Sequence, residues 1–398
     1  FCGWNQASLV AVLEEGRCTL YYDFPSVEDA VWHGPGPTRE DLEVRFGYDR
    51  ILPRKELDLS GPVTSLPVVR CAEQADRLGR MPDLERDRDL ALAVIDLRLR
   101  QDPHAVEQLR AAGEATVAAH RAGMAATRPG ATEWEVRAAM ELELARRGMG
   151  HSYAPIVSTH GEVLHNPHCD HTLAEGDLLL VDLGAETGQG WAGDVTRTWP
   201  ATGRFTPRQR DIYRLVLEAQ REAIAAVRPG VRYRDLHLGA CRTLAEGLVE
   251  LGLLKGDPDS LVERGAHALF FPHGLGHLLG LDVHDMEDLG DLAGYAPGRS
   301  RSDQFGLCYL RMDRDLEPGM AFTVEPGFYW IPQLLENSQR TDPFRDCLDV
   351  GKVQEFREVR GIRIEDDVLV TGTGVELLTP GLPGTPDEVE AAVLQVSF

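Results

Sequence analysis

The 398-residue chain has no apolar run long enough to cross a membrane as a helix, no CxxC pair of cysteines and no excess of basic residues. Each absence removes a class of function. A membrane-spanning helix needs about 20 consecutive apolar residues, and none is present. The seven cysteines, Cys2, Cys18, Cys71, Cys169, Cys241, Cys308 and Cys347, are odd in number and widely spaced. That argues against a disulfide scaffold or a zinc ribbon and points to reduced thiols in a cytoplasmic protein. The formal net charge of −23 repels phosphate backbones, so nucleic acid is not an expected partner. The opening Phe1-Cys2-Gly3-Trp4 lacks the basic start and apolar block of a signal peptide, and it also lacks an initiator Met.

What is present is the composition of a globular protein, 43% hydrophobic and 26% charged. The length favours two domains, and the expected join lies near residue 100. In residues 1–100, Ser8–Leu13 and Cys18–Tyr22 read as a hairpin around Glu14-Glu15-Gly16. Val94-Ile95-Asp96-Leu97 reads as the last strand before the join. Residues 101–398 open differently. Asp102-Pro103 is an N-cap followed by Pro at the first helical position, and this helix should end near Arg128-Pro129-Gly130. Thr132-Glu133-Trp134-Glu135 is a capping-box pattern. Val136, Met140 and Leu144 then share one helix face, with Gly148 suited to the C-terminal cap.

The same grammar returns. A helix from about Pro207 ends at Arg228-Pro229-Gly230, and a second runs from about Asp235 to Leu251 before Gly252. The two Arg-Pro-Gly tripeptides lie 100 residues apart. They predict a helix–turn–helix-plus-strands unit used twice, with a site between the halves. Chance recurrence of a common turn tripeptide is the plain alternative. Residues 287–315 and 331–360 are less regular and read as insertions or long loops.

Four segments carry chemistry. Leu178–Gly184 is a buried strand running into Asp182, and Trp191–Thr198 brings Asp194 back after Gly188 and Gly190. Two carboxylates brought together repel and call for a cation, and oxygen donors suit Mn²⁺, Mg²⁺ or Co²⁺. The plain alternative is two exposed acids at a turn. His273-Gly274-Leu275-Gly276-His277 leads on to His284, placing three of the chain's 13 His within twelve residues. One imidazole of such a cluster can bind metal while others move protons or hold a substrate oxygen. Ala321–Gly327 places Glu325 at the end of an apolar strand. Gly361–Val368 places Arg363 and Glu365 on one strand face, because side chains two apart point the same way. Asp182, Asp194, His277, Glu325 and Glu365 together make a donor set for two divalent ions.

The order and wording of these segments over roughly residues 100–375 resemble the pita-bread metallopeptidases, the family of methionine aminopeptidase, aminopeptidase P, prolidase and creatinase. His-Gly-x-x-His-x-x-Gly-Leu-Asp-Val-His-Asp, Thr-Val-Glu-Pro-Gly and Gly-Ile-Arg-Ile-Glu-Asp-Asp are similar to the proline-peptidase branch. The resemblance implies an α+β protein, with a pseudo-symmetric pita-bread catalytic domain over 101–398. Residues 1–100 resemble, more weakly, a creatinase-like N-terminal α/β domain whose start is missing. It further implies that Asp182, Asp194, His277, Glu325 and Glu365 hold two divalent ions, Mn²⁺ first, with Zn²⁺ or Co²⁺ as alternatives. Glu325 would also act as the proton carrier, and His165, His273 and His284 would contact substrate and relay protons. The implied reaction is hydrolysis of the bond preceding proline by a water activated between the ions, in a homodimer.

One detail departs from the family's pattern, and another separates its branches. The family's two Asp usually lie eleven apart, whereas Asp182 and Asp194 lie twelve apart, which puts Asp194 in doubt unless a bulge or longer turn restores its facing. Arg311 stands fourteen residues before Glu325, as in prolidases, where such an Arg suits the carboxylate of an Xaa-Pro dipeptide. Arg363, His273, His284 and Tyr329 complete the expected substrate contacts. Aminopeptidase P, acting on longer peptides, is the rival within the class. A pita-bread fold kept as a binding module is the rival outside it. A pair with a local acid such as Asp313 or Asp315 is the plain alternative for Arg311.

Overall fold

A computed structural model describes residues 9–66 and 74–394; the sequence features at Phe1–Gln6, together with Cys2 and Cys71, lie outside them. Cys18, Cys169, Cys241, Cys308 and Cys347 are unbridged. Among the described residues no helix is long and apolar enough to cross a membrane. The chain divides into two compact units, one ending at Ala91 and the other beginning at Leu92.

In the first unit, Val10–Glu14 and Arg17–Tyr21 form an antiparallel hairpin, and Arg50–Leu52 pairs parallel with the second strand. Glu15 and Gly16, both at positive φ, make its two-residue turn. Leu20, Tyr22, Leu42, Tyr48 and Ile51 form its core.

Val94–Leu97 is not a strand. Arg88–Leu99 is one helix. Ala91, Ile95 and Leu99 are buried at i, i+4 and i+8 while Leu97 is 68% exposed. The helical period therefore outweighs the short, mostly apolar segment that reads as a strand.

The second unit is built from two similar halves. Pro103–Ala126 and Glu133–Arg146 pack together in the first, Pro207–Ala226 and Tyr233–Glu250 in the second. Asp102, Thr132 and Thr206 cap three of these helices with their side chains, the first two as their sequence contexts predict. The two Arg-Pro-Gly turns are used alike. Gly130, at φ +86°, donates its N–H to Leu173 O, and Gly230, at φ +83°, donates to Leu316 O, each at 2.8 Å. Leu173 N–H returns to Ala131 O, and Leu316 N–H returns to Val231 O. Single strand bridges at Thr132–Thr172 and Arg232–Asp315 complete the match. Carried forward on the same offset, the strand Leu178–Asp182 corresponds to Ala321–Val324, so Asp182 and Glu325 hold equivalent places.

Leu178–Asp182 pairs antiparallel with Ile156–Ser158 on one side and Thr196–Pro200 on the other. Ala321–Val324 pairs with Asp366–Val370, and Gly327–Tyr329 with Gly361–Arg363. Residues 287–315 and 331–360 are not structureless. They carry short helical turns, among them Glu287–Leu289, Asp291–Gly294, Pro332–Leu335 and Val350–Gln354.

Buried Arg197 links the strands of the two halves. Its Nη2 donates to both oxygens of Asp366, at 2.8 and 2.9 Å. Its other nitrogens donate to the carbonyls of Thr196, Glu365 and Pro383. Gln220 and Thr379 also donate to Asp366. Removing one partner of a buried pair strands the other charge. Arg197→Ala should therefore lower unfolding stability by about 3–5 kcal/mol, read as a fall in the denaturant midpoint at unchanged slope. A loss smaller than about 1 kcal/mol, the size expected of an exposed pair, would contradict this assignment.

Candidate metal centre

Asp182 and Asp194 lie on one hairpin. Asp182 pairs with Thr196, Leu183 N–H donates to Val195 O, Gly193 N–H to Ala185 O and Thr187 N–H to Trp191 O. The register therefore runs unbroken from Asp182–Thr196 to Thr187–Trp191, and no bulge intervenes. Asp182 faces the same way as Thr196, and Asp194 lies two residues from Thr196, so both acids point to one face. The twelve-residue spacing is absorbed in the turn at Gly188–Gly190. Tyr153 joins the pair: its hydroxyl lies 2.6 Å from Asp194 Oδ1 and in hydrogen-bond contact with Asp182 Oδ1.

The imidazole comes from a glycine-rich segment lying along the Ala321–Val324 strand. Glu325 N–H donates to Leu275 O, Thr323 N–H to His277 O and Leu279 N–H to Ala321 O. This approach needs a residue without a side chain, since a Cβ on Gly276 would stand 2.2 Å from Thr323 O. His277 is buried. Its Nδ1 is 3.0 Å from Leu278 O, which makes Nδ1 the donor and leaves the Nε2 lone pair free. That Nε2 lies 3.2 Å from Asp194 Oδ2 and 3.7 Å from Glu325 Oε1. Across the second ladder Glu365 faces Glu325, because Asp366 pairs with Val324 and Arg363 with Gly327 in the same register.

Asp182, Asp194, His277, Glu325 and Glu365 thus line one recess, together with His165, His273, His284, Arg311 and Arg363. Ligand atoms of Asp194, His277 and Glu365 lie within 4.8 Å of one another. Burial, then the charge of Asp182, pushes Asp194 up to about 7. Burial above all, with the neighbouring acids, raises Glu325 and raises Glu365 well above the ordinary range. A neutral imidazole facing converging oxygen donors fits hard divalent cations, which would relieve this repulsion.

The remaining expected residues take different places. Arg363 is 4% exposed. It donates to Asp182 Oδ2 at 2.6 Å, to Thr196 Oγ1 at 2.9 Å and to Tyr329 OH at 3.2 Å. Tyr329, expected at the substrate, does not line the recess. It is fully buried and ties Arg363 to His273 Nε2, 2.9 Å away. His273 Nδ1 donates to Gly274 O at 2.8 Å, and burial lowers its pKa to about 3. His165 is lowered too, first by burial, then by Arg363 and Arg311. His284 stacks edge-on against His277, with centroids 4.4 Å apart, and its Nδ1 accepts from Arg311 Nη1 at 3.0 Å. Arg311 pairs with neither Asp313 nor Asp315, which are held by Arg232 and Arg299; its ion partner is Glu287. Arg311, His165, His273 and His277 also line a larger adjoining cavity of about 600 Å³ whose apolar wall includes Phe305, Tyr309 and Leu334.

Sequence reasoning missed Tyr153, Thr196 and Asp367. Thr196 Oγ1 donates to Glu365 Oε2 at 2.7 Å, and Asp367 Oδ2 accepts the Asp194 N–H at 2.9 Å. Asp367 stands in the Glu-Asp-Asp run, where it could have been marked. Nothing around Tyr153 in sequence signals its role.

Known proteins resemble this chain along most of its length. A family model described as metallopeptidase family M24 matches residues 107–372. Human Xaa-Pro dipeptidase is 34% identical over 403 residues, covering 96% of this chain and 80% of that protein. Escherichia coli Xaa-Pro aminopeptidase is also 34% identical, over 421 residues, covering 99% and 87%. Among solved structures, Pseudomonas aeruginosa aminopeptidase PepP matches with a TM-score of 0.81 at 31% identity, covering 99% of this chain and 87% of that one. A substrate complex of an E. coli aminopeptidase P variant matches with a TM-score of 0.79 at 30% identity, covering 100% and 88%. The fold is the α+β pita-bread class of these aminopeptidases.

The raised carboxylates predict how metal-free protein responds to pH. A carboxyl raised in the folded state contributes stability below its ordinary value and loses it as pH rises through the folded value. For Asp194 that window runs from 3.8 to about 7. Buried His120, at about 4, and His273, at about 3, work the other way, but only below their ordinary 6.5. Between about pH 6.5 and 8 only the carboxylate effect remains, so the Tm of metal-free protein should fall and the Tm gain on adding Mn²⁺ should grow. A metal-free Tm that is flat or rising over that range in a calorimetric pH series would contradict the reading.

Proposed function

The chain belongs to metallopeptidase family M24, in its proline-peptidase branch, and from that premise we propose that it is an Xaa-Pro dipeptidase. The observation that carries the proposal is the placement of Arg311 on the wall shared by the acidic recess and the larger cavity. A dipeptide ends in a carboxylate immediately after the scissile bond, and a guanidinium can take it in two parallel hydrogen bonds. A longer peptide offers a neutral amide at that point.

Asp182, Asp194, His277, Glu325 and Glu365 would hold two divalent ions, Mn²⁺ first because four of the five ligands are carboxylates. Bound there, such ions supply water acidic enough to ionise near neutral pH and Lewis acidity toward a carbonyl. The side chains do the rest. Glu325 takes the proton from the attacking water and returns it to the proline nitrogen, which has no N–H of its own and leaves as an amine only when protonated. With His284 Nδ1 accepting from Arg311, its proton sits on Nε2, available to the substrate carbonyl oxygen. His165 lies on the same wall. Arg363 holds Asp182, and Tyr329 holds His273 and Arg363, so both orient the site from behind.

Two observations favour a second reading. The cavity of about 600 Å³ lined by Arg311 is roomier than a dipeptide needs, and the E. coli relative named Xaa-Pro aminopeptidase matches at the same identity as the human dipeptidase. Release of the first residue from longer Xaa-Pro peptides is therefore the rival activity.

Steady-state kinetics separate the two. Arg311→Ala should cost about 2–4 kcal/mol of transition-state binding for Gly-Pro, a loss of about thirty- to a thousandfold in kcat/KM. The loss should be small for Gly-Pro amide. Efficient cleavage of Xaa-Pro tripeptides by the unmodified enzyme, with little dipeptidase activity, would decide for the aminopeptidase.

A further inference from the structure

Arg311 is held by a residue for which the motifs assign no role. Asp285-Met286-Glu287 follows His284, and buried Met286 adopts the left-handed conformation, φ +62°. A non-glycine residue held there stores local strain and recurs at functional loops. The turn it makes brings both carboxylate oxygens of Glu287 to 2.7 Å from Arg311 Nη1. The same Nη1 is 3.0 Å from His284 Nδ1. Glu287 lies 3.4 Å from that imidazole nitrogen, so the shorter contact from Arg311 sets Nδ1 as an acceptor. A guanidinium has five N–H donors. Here a single nitrogen carries every bond, and among the described residues Nε and Nη2 have no partner. The other arginine lining the cavity, Arg301, is already tied to Asp291 and to the carbonyls of Cys308 and Leu310.

We propose that Glu287 is a positioning residue for substrate selection: gripping Arg311 by Nη1, it presents the Nε–Nη2 edge to the C-terminal carboxylate of the substrate. This rests on the dipeptidase reading. Arg311 sits on a long flexible stem, and a carboxylate that must first order it spends binding energy on side-chain entropy. With Glu287 in place that ordering is done beforehand, and the open edge matches the two oxygens of one carboxylate. Glu287 lines the outer cavity and is absent from the acidic recess, so its effect should fall on binding and not on the chemical step.

The test uses the metal-replete enzyme with Gly-Pro, Gly-Pro amide and Gly-Pro-Gly, comparing the unmodified protein with Glu287→Ala and Glu287→Gln. Glu287→Ala should raise KM for Gly-Pro about tenfold, with kcat within about twofold and the amide's kinetics unchanged. Glu287→Gln keeps an acceptor oxygen for Nη1 and should recover most of the affinity. Unchanged amide kinetics also report that the variants are folded. If the unmodified enzyme prefers Gly-Pro to its amide and Glu287→Ala leaves that preference intact, the role of Glu287 is overturned alone. Equal falls in kcat for both substrates overturn it as well, since they mark general distortion. If the unmodified enzyme shows no preference for a free carboxylate, the dipeptidase reading fails, and this inference falls with it.

Discussion

Asp182, Asp194, Glu325 and Glu365 share a recess with His277 as the imidazole among them. Four acids at such separations cannot all be ionised without compensation. Their surroundings supply part of it. Arg363 takes an oxygen of Asp182, Thr196 donates to Glu365, and Tyr153 bridges the two aspartates. The protein's own groups leave Asp194, Glu325 and Glu365 raised. The remaining demand is for positive charge, and the architecture around the recess keeps that demand in place.

The repeated half-unit explains how the recess is held. Each half opens with two packed helices joined at Arg-Pro-Gly and delivers a strand that leads to an acid, Asp182 in one and Glu325 in the other. Partner strands return Asp194 and Glu365 to the same place. Arg197 crosses between the halves and locks Thr196, Glu365 and Asp366 in mutual position. Strands positioned by backbone pairing hold side chains more tightly than loops do, which suits a cation site. The substrate recognition proposed for Arg311 and Glu287 falls instead to the less regular segments, where both lie.

Much of this was legible in the sequence because it rests on local rules. Asp102-Pro103 and Thr132–Glu135 mark helix starts through capping chemistry, and the two Arg-Pro-Gly tripeptides mark the repeated half-unit. The misreading of Val94–Leu97 shows the limit. A four-residue segment with three apolar residues fits a strand or a helix, and only the wider spacing of Ala91, Ile95 and Leu99 decides. The twelve-residue gap between Asp182 and Asp194 raised a doubt that only register resolves, since turn length is invisible until strand pairing is known. Tyr153 reaches the site through tertiary folding alone. Arg363 and Tyr329 were expected to touch substrate; their contacts turn them inward, toward Asp182 and His273.

The claim on which the account depends is that the acidic recess is a two-ion centre. Anomalous diffraction from crystals grown with Mn²⁺, recorded on either side of the manganese absorption edge, tests it directly. The account predicts two anomalous peaks within the recess, contacted by Asp182, Asp194, His277, Glu325 and Glu365. Catalytically active crystals with no peak in the recess would contradict it.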